Sequence, residues 1–252
     1  MPPSPLKTPA NPVVLIPARM ASTRLPDKPM ADINGEPMIV HVWRRAVEAD
    51  IGPVVVAAGE AEIVDAIKGM GGKAVLTRPD HPSGSDRIHE CLTTLDPDRK
   101  YDAVVNLQGD LPTLAPDLPG RALGLLDIGE VDIGTLAAEI GEASENDNPN
   151  VVKVVPIQET VQKDRCQAKG FTRKPMAVGA SPIWHHIGLY AWRRDALERF
   201  VTLPPSPLEL RDKLEQMRAL ENGMRIDVAF VDTVPLGVDT SADLDRARSM
   251  LE

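Results

Sequence analysis

Residues 13–16, VVLI, form an unbroken apolar run that stops at Pro17 and opens into a polar loop carrying Arg19, Arg24 and Lys28. A short run with no polar alternation reads as a strand buried on both faces, the situation of a parallel sheet. The loop that follows such a strand lies at its carboxyl end, where open α/β sheets bind their ligands. Three cations, the small residues Ala18, Ala21 and Ser22, and two prolines leave open backbone and concentrated positive charge. That combination suits a polyphosphate. The competing reading is a set of solvated loop charges, which need no special explanation. The chain as a whole carries a net charge of −9, so the basic loop is a local departure.

Beyond this loop, strand and helix patterns alternate. Pro37 can serve as the first residue of a helix whose apolar side includes Met38, Ile39, Val42 and Ala46. Strands follow over 54–57, 73–76 and 103–107, with helices over 60–68 and 85–95, the second capped by Ser85. The alternation predicts an α/β fold with a doubly wound, mainly parallel sheet. The second half is less regular. It reads as strands over 131–139, 151–155, 187–192 and 225–231, with helices over 194–201 and 207–221 and a last helix from Ser241. Residues 1–12, rich in proline and without apolar period, read as a disordered leader. No linker divides 13–252, which reads as one domain.

The acidic balance argues against general nucleic-acid binding, which requires a basic face. No apolar run approaches a bilayer span and the first residues lack a signal-peptide pattern, so a cytoplasmic protein without membrane attachment is expected. Cys91 and Cys166 have no metal-type spacing and read as free thiols.

Several segments carry candidate chemistry. Residues 104–110, VVNLQGD, end a buried strand on Gln108, Gly109 and Asp110. The glycine permits close backbone approach. Gly-Asp-Leu-Pro is also ordinary turn chemistry. Beside the basic loop, Asp110 suits Mg2+, which binds through one or two carboxylates plus substrate phosphates. Asp239, before the last helix, reads either as a second such carboxylate or as part of a helix cap. Residues 77–87, TRPDHPSGSDR, open a helix whose free amides can meet a ligand, and His81 reads as a surface histidine. His185 and His186 are adjacent in a strand and point to opposite faces, which rules out a shared zinc ion.

The order of these segments resembles the nucleotide-sugar cytidylyltransferases. IPAR, ASTRLP and K-P over residues 16–29, then DINGEPMIVHV, match that family's N-terminal signature, and the resemblance extends from Val13 almost to the end. It implies a fold like that of the nucleotide-diphospho-sugar transferases, Rossmann-like in outline. The implied activity moves CMP from CTP to an acidic sugar with Mg2+, in a homodimer. The IPAR-x-ASTRLP form favours 3-deoxy-manno-octulosonate (KDO) over sialic acid, and hence a role in lipopolysaccharide synthesis. By this resemblance residues 13–130 mainly bind nucleotide and 131–252 mainly bind the sugar and form the dimer contact. The nucleotide-binding set is Pro17, Ala18, Arg19, Arg24, Lys28, Arg78, Ser83, Gly84, Arg87 and Gly109. Arg19, Lys28, Asp110 and Asp239 are implied as catalytic, with the two aspartates holding the metal. Sugar contacts are implied for Arg24, Gln108, His186, Tyr190, Glu215 and Gln216. The sequence departs from the family at Glu60, whose neighbourhood lacks the usual Thr-Asp, and matches loosely over 156–184. Two rival readings keep parts of this picture: a cytidylyltransferase for another sugar acid, and a non-catalytic nucleotide-binding subunit.

Overall fold

The computed structural model describes residues 8–22, 24–177, 179 and 182–252. Residue contacts divide the chain into two compact units, the first comprising Ala10–Gly120 and Pro235–Glu252, the second built on Arg121–Val234. No helix among the described residues is long and apolar enough to cross a membrane.

The first unit opens with β1 (Pro12–Ala18), a small hairpin of β2 (Asp32–Ile33) and β3 (Glu36–Pro37), and α1 (Met38–Glu48). It continues through β4 (Val54–Ala58), α2 (Ala61–Gly69), β5 (Lys73–Leu76), α3 (Gly84–Leu95) and β6 (Ala103–Asn106). The four longer strands lie in the order β5-β4-β1-β6 and pair in parallel throughout. Val13, Val14, Leu15 and Ile16 are fully buried at the centre, as the apolar run predicts. The chain steps outward from β1 to β4 to β5 and then back past β1 to β6. With right-handed crossovers, α1 and α2 cover one face and α3 the other. The reversal makes the gap between β1 and β6 the switch point of this sheet, so the loops leaving those two strands converge at a ligand-binding position.

The second unit follows α4 (Leu118–Gly124), in which the division between units falls. It contains β7 (Ile133–Glu139), α5 (Ala143–Asp147), β8 (Lys153–Pro156), β9 (Arg165–Thr172), β10 (Trp184–Arg193) and α6 (Arg194–Thr202). Then come α7 (Pro207–Asp212), α8 (Gln216–Glu221) and β11 (Ile226–Val231). Among the described residues here, β7 and β11 pair in parallel, and β10–β7, β11–β9, β8–β9 and β10–β8 are antiparallel. Because β8 pairs with both β9 and β10, the five strands return on themselves, which covers edges that would otherwise be open. Residues 235–252, with α9 (Ser241–Met250), belong to the first unit.

The expected mainly parallel sheet is therefore corrected. Parallel pairing holds in the first unit, and the second is mixed and mostly antiparallel. Pro37 is the residue before α1, with an extended ψ of 139°, and not its first helical residue. Ser83, not Ser85, caps α3, accepting from the Asp86 amide. The helix read over 207–221 breaks at Lys213, whose φ of 53° is left-handed, and becomes α7 and α8. The disorder expected over 1–12 does not hold for its last residues. Residues 1–7 lie outside the described residues, but the amides of Ala10 and Asn11 both donate to Asp102, and Pro12 opens β1 opposite Ala103.

Candidate active site

A cavity of about 450 Å³ lies at the switch point of the first unit. From β1 and its loop come Pro17, Ala18, Arg19, Arg24 and Lys28; from β6 and its loop come Gln108, Gly109 and Asp110. Ser83, Gly84 and Arg87 enter from the start of α3, and Asp239 from the segment before α9. Every nucleotide-side residue singled out in the sequence meets here except Arg78. Its side chain lies mostly exposed toward Asp80 and Glu90, and only its backbone takes part, donating to Glu90 and accepting from Arg87.

Local chemistry explains the convergence. A Cβ on Gly109 would stand 2.7 Å from the Pro17 carbonyl oxygen, so only glycine lets the β6 loop approach the end of β1 this closely. The Val238 amide donates to the Asp110 carbonyl at 2.9 Å, fixing the two acidic segments side by side. Thr240 and Asp243 form a reciprocal cap on α9, which leaves the Asp239 carboxylate out of the helix cap. That carboxylate and Asp110 converge on one cation: Lys28 Nζ lies 2.9 Å from Asp110 Oδ2 and 3.0 Å from Asp239 Oδ1. Arg24 Nη2 reaches the other Asp239 oxygen at 2.9 Å. Burial works against the Lys28 charge, but the two carboxylates outweigh it and hold the ammonium above its ordinary pKa.

Two carboxylates whose oxygens meet at one point, beside a phosphate-sized basic cavity, fit Mg2+, a hard cation that takes few protein oxygens and completes its shell with phosphate and water. Among the described residues, no third His, Cys, Asp or Glu joins them.

Three features were missed in the sequence. Arg87 is buried, and its guanidinium donates to Thr77 Oγ1 at 2.6 Å and to the carbonyls of Arg78 and Pro79 at 3.0 and 3.2 Å. It shapes the loop while lining the cavity. His81 is buried rather than on the surface, with Nε2 bonded to Glu90. The two stand nine positions apart in the chain, but α3 folds back along the loop that carries His81. Glu60, which departs from the family pattern, accepts the Met20 amide at 2.9 Å and so pins the cationic loop at its start.

In the second unit, His186 and Tyr190 share a face of β10 with ring centroids 5.5 Å apart, and Phe171 meets His186 edge-on at 4.8 Å. The strand bulges between them: Ile187 pairs with Leu136 and Tyr190 with Thr135, so Gly188 and Leu189 are two extra residues. Thr135 Oγ1 fills the bulge, within donating reach of the Ile187 and Leu189 carbonyls. Its oxygen lies 3.1 Å from His186 Nε2, which therefore carries the imidazole proton and leaves Nδ1 as an acceptor. Burial, with His185 adding to it, lowers the His186 pKa to about 3, so the ring is neutral. Burial and the Glu215 charge push Tyr190 up, keeping it a phenol. Gln216 is buried at the start of α8, beside Glu215. His185 turns away to Glu145, 2.5 Å from Nδ1.

The first unit, with basic loops at the switch point of a parallel sheet, has the form of a nucleotide-binding α/β enzyme. A family described as Cytidylyltransferase matches residues 13–226. A 3-deoxy-manno-octulosonate cytidylyltransferase of Methylobacterium radiotolerans is 60% identical over 96% of this chain and 98% of its own. One from Rhodopseudomonas palustris is 62% identical over 95% and 97%. A solved structure of CMP:2-keto-3-deoxy-manno-octonic acid synthetase complexed with CTP superposes with a TM-score of 0.86 at 36% identity, covering 96% of this chain and 98% of that one. The chain belongs to the cytidylyltransferase family and, within it, to the 3-deoxy-manno-octulosonate cytidylyltransferases.

Proposed function

We propose that this protein transfers CMP from CTP to the anomeric hydroxyl of KDO, giving CMP-KDO and pyrophosphate. The observation that carries the reading is the meeting of Arg19, Arg24 and Lys28 with Asp110 and Asp239 in one cavity, in a chain about 60% identical to enzymes of that name. The hydroxyl oxygen attacks the α-phosphorus in line, its proton leaves, and the bond to the pyrophosphate oxygen breaks. Such transfers depend on positioning and on neutralising charge. Arg19, Arg24 and Lys28 offset the triphosphate, with Lys28 nearest the leaving group. The free amides at the start of α3 and the close approach at Gly109 hold the nucleotide. Mg2+ held by Asp110 and Asp239 would offset charge on the α-phosphate and acidify the attacking hydroxyl. In the second unit, His186 Nδ1 accepts from a sugar hydroxyl while the Tyr190 phenol donates, with Glu215 and Gln216 as further sugar contacts. No side chain is assigned as general base.

The same reading makes the protein a homodimer working in the cytoplasm, where CTP is made, and supplying lipopolysaccharide synthesis. Pyrophosphate release with a panel of nucleotides and acceptors tests it. CTP with KDO should turn over fastest. Equal turnover with a sialic acid would move the acceptor assignment, and turnover with a sugar 1-phosphate but no sugar acid would overturn it.

A further inference from the structure

The arrangement of Lys28 poses a problem for metal binding. Its ammonium already occupies the point on which Asp110 and Asp239 converge, at 2.9 and 3.0 Å, and Arg24 takes the remaining Asp239 oxygen at 2.9 Å. Two carboxylates are thus matched by two cations within the protein itself. A divalent ion approaching this pair meets no net negative charge and must displace a largely buried ammonium held by two hydrogen bonds. A triphosphate brings several anionic oxygens into the same cavity and competes with the carboxylates for both Lys28 and Arg24.

We infer that Lys28 is an internal counter-ion that keeps the aspartate pair closed to divalent cations until a nucleotide triphosphate draws it away. This rests on the reading of the site as a Mg2+-dependent nucleotidyl transferase. Lys28 then has two successive partners, the carboxylates in the empty cavity and the phosphates in the filled one. The exchange couples metal binding to nucleotide binding, and the coupling is reciprocal. It also keeps the aspartate pair from holding a metal when no phosphate is present to share it.

Mn2+, alone and without nucleotide, is the probe, and its binding is read by electron paramagnetic resonance on the full chain. The unsubstituted protein should bind it weakly. Lys28→Met and Lys28→Gln should each bind at least about 10-fold more tightly, within the range of ordinary coupling energies. Lys28→Arg, which keeps a cation in place, should stay close to the unsubstituted protein. Adding Asp110→Asn to Lys28→Met should abolish the gain, which shows that the new affinity belongs to this pair. Melting curves for each variant confirm that folded protein is being compared. Equal or weaker Mn2+ binding in both neutral variants overturns the proposal, as does tight Mn2+ binding by the unsubstituted protein. Neither result depends on turnover, so the proposal can fail while CMP transfer stands, and a missing CMP transfer would not mimic its failure.

Discussion

The two units meet the same problem, placing polar groups inside a protein, in opposite ways. In the first, the chemistry stays ionic: Arg24, Lys28, Asp110 and Asp239 remain charged and partly solvated, with Arg24 59% exposed. In the second, His186 and Tyr190 are both held neutral by burial, and Thr135 Oγ1 sets which nitrogen of the His186 ring carries the proton. Arg24 can exchange partners because an exposed ion pair contributes little to folding, typically about 0–1 kcal/mol. The groups of the second unit cannot, because they have left water. A charged and yielding site suits a polyanion, and a neutral, fixed site suits hydroxyl groups.

The largest expected effect sharpens the ionic side of this comparison. Asp110→Asn and Asp239→Asn should each reduce CMP transfer on the order of 100- to 1000-fold with little change in melting temperature. If the pair acts as one unit, the double variant should lose hardly more than either single one. Additive, modest losses would make them independent turn and loop residues.

Next in size is a contrast between two ion pairs. Arg218 and Glu209 join α8 to α7 with side chains 9% and 12% exposed, and Arg218 lies over the Phe200 ring at 4.6 Å. Arg218→Ala leaves a desolvated carboxylate and should cost about 3–5 kcal/mol in urea unfolding. Arg24→Ala in the first unit should cost under about 1 kcal/mol while raising the KM for CTP. Similar stability losses in both would erase the distinction.

A smaller effect follows from His186. Its folded pKa of about 3 lies below the ordinary 6.5, so below pH 6.5 the unfolded chain binds a proton that the folded one refuses. Stability attributable to this residue should fall as pH drops from 6.5 toward 3, by up to about 1.4 kcal/mol per pH unit. His186→Asn should flatten that part of the pH profile. An unchanged slope would mean the ring is protonated in the folded protein.

The smallest concerns the chain start. Removing residues 1–11 deletes two amide bonds to Asp102 and one from the Asn11 side chain to the Lys100 carbonyl, and should cost about 1 kcal/mol. Removing 1–7 spares these three bonds, and the difference between the two truncations in thermal melting measures them.

The same contrast governs how much the sequence revealed. The inner strands β1, β4 and β6 of the first unit are buried and appear as plain apolar runs; β5 over Lys73–Leu76, at the edge and partly exposed, was still legible to the residue. The cationic loop and Asp110 sit at strand ends, where the pattern itself changes. The second unit was harder to read. In β9, RCQAKGFT, buried Cys166, Ala168 and Phe171 are interrupted by polar residues. Its strand character comes from pairing with β8 and β11 rather than from local pattern. Lys213 gives no glycine signal for the left-handed turn that splits α7 from α8. Glu60 and His81 act through partners 40 and 9 residues away, a proximity that only the fold creates.

The bulge in β10 sets a rule for which changes of length this strand can survive. Gly188 and Leu189 are surplus to the pairing with β7, and surplus residues come in a countable number. Losing both would let Ile187 run straight on, with the residue now at 190 still facing the same way as His186. Losing one leaves a single surplus residue, an ordinary bulge that also keeps the tyrosine opposite Thr135 and on the same face. The surplus is thus a reserve of slack: one or two residues can be removed here before the pairing with β7 has to shift, whereas a third deletion draws the tyrosine out of register and should abolish activity.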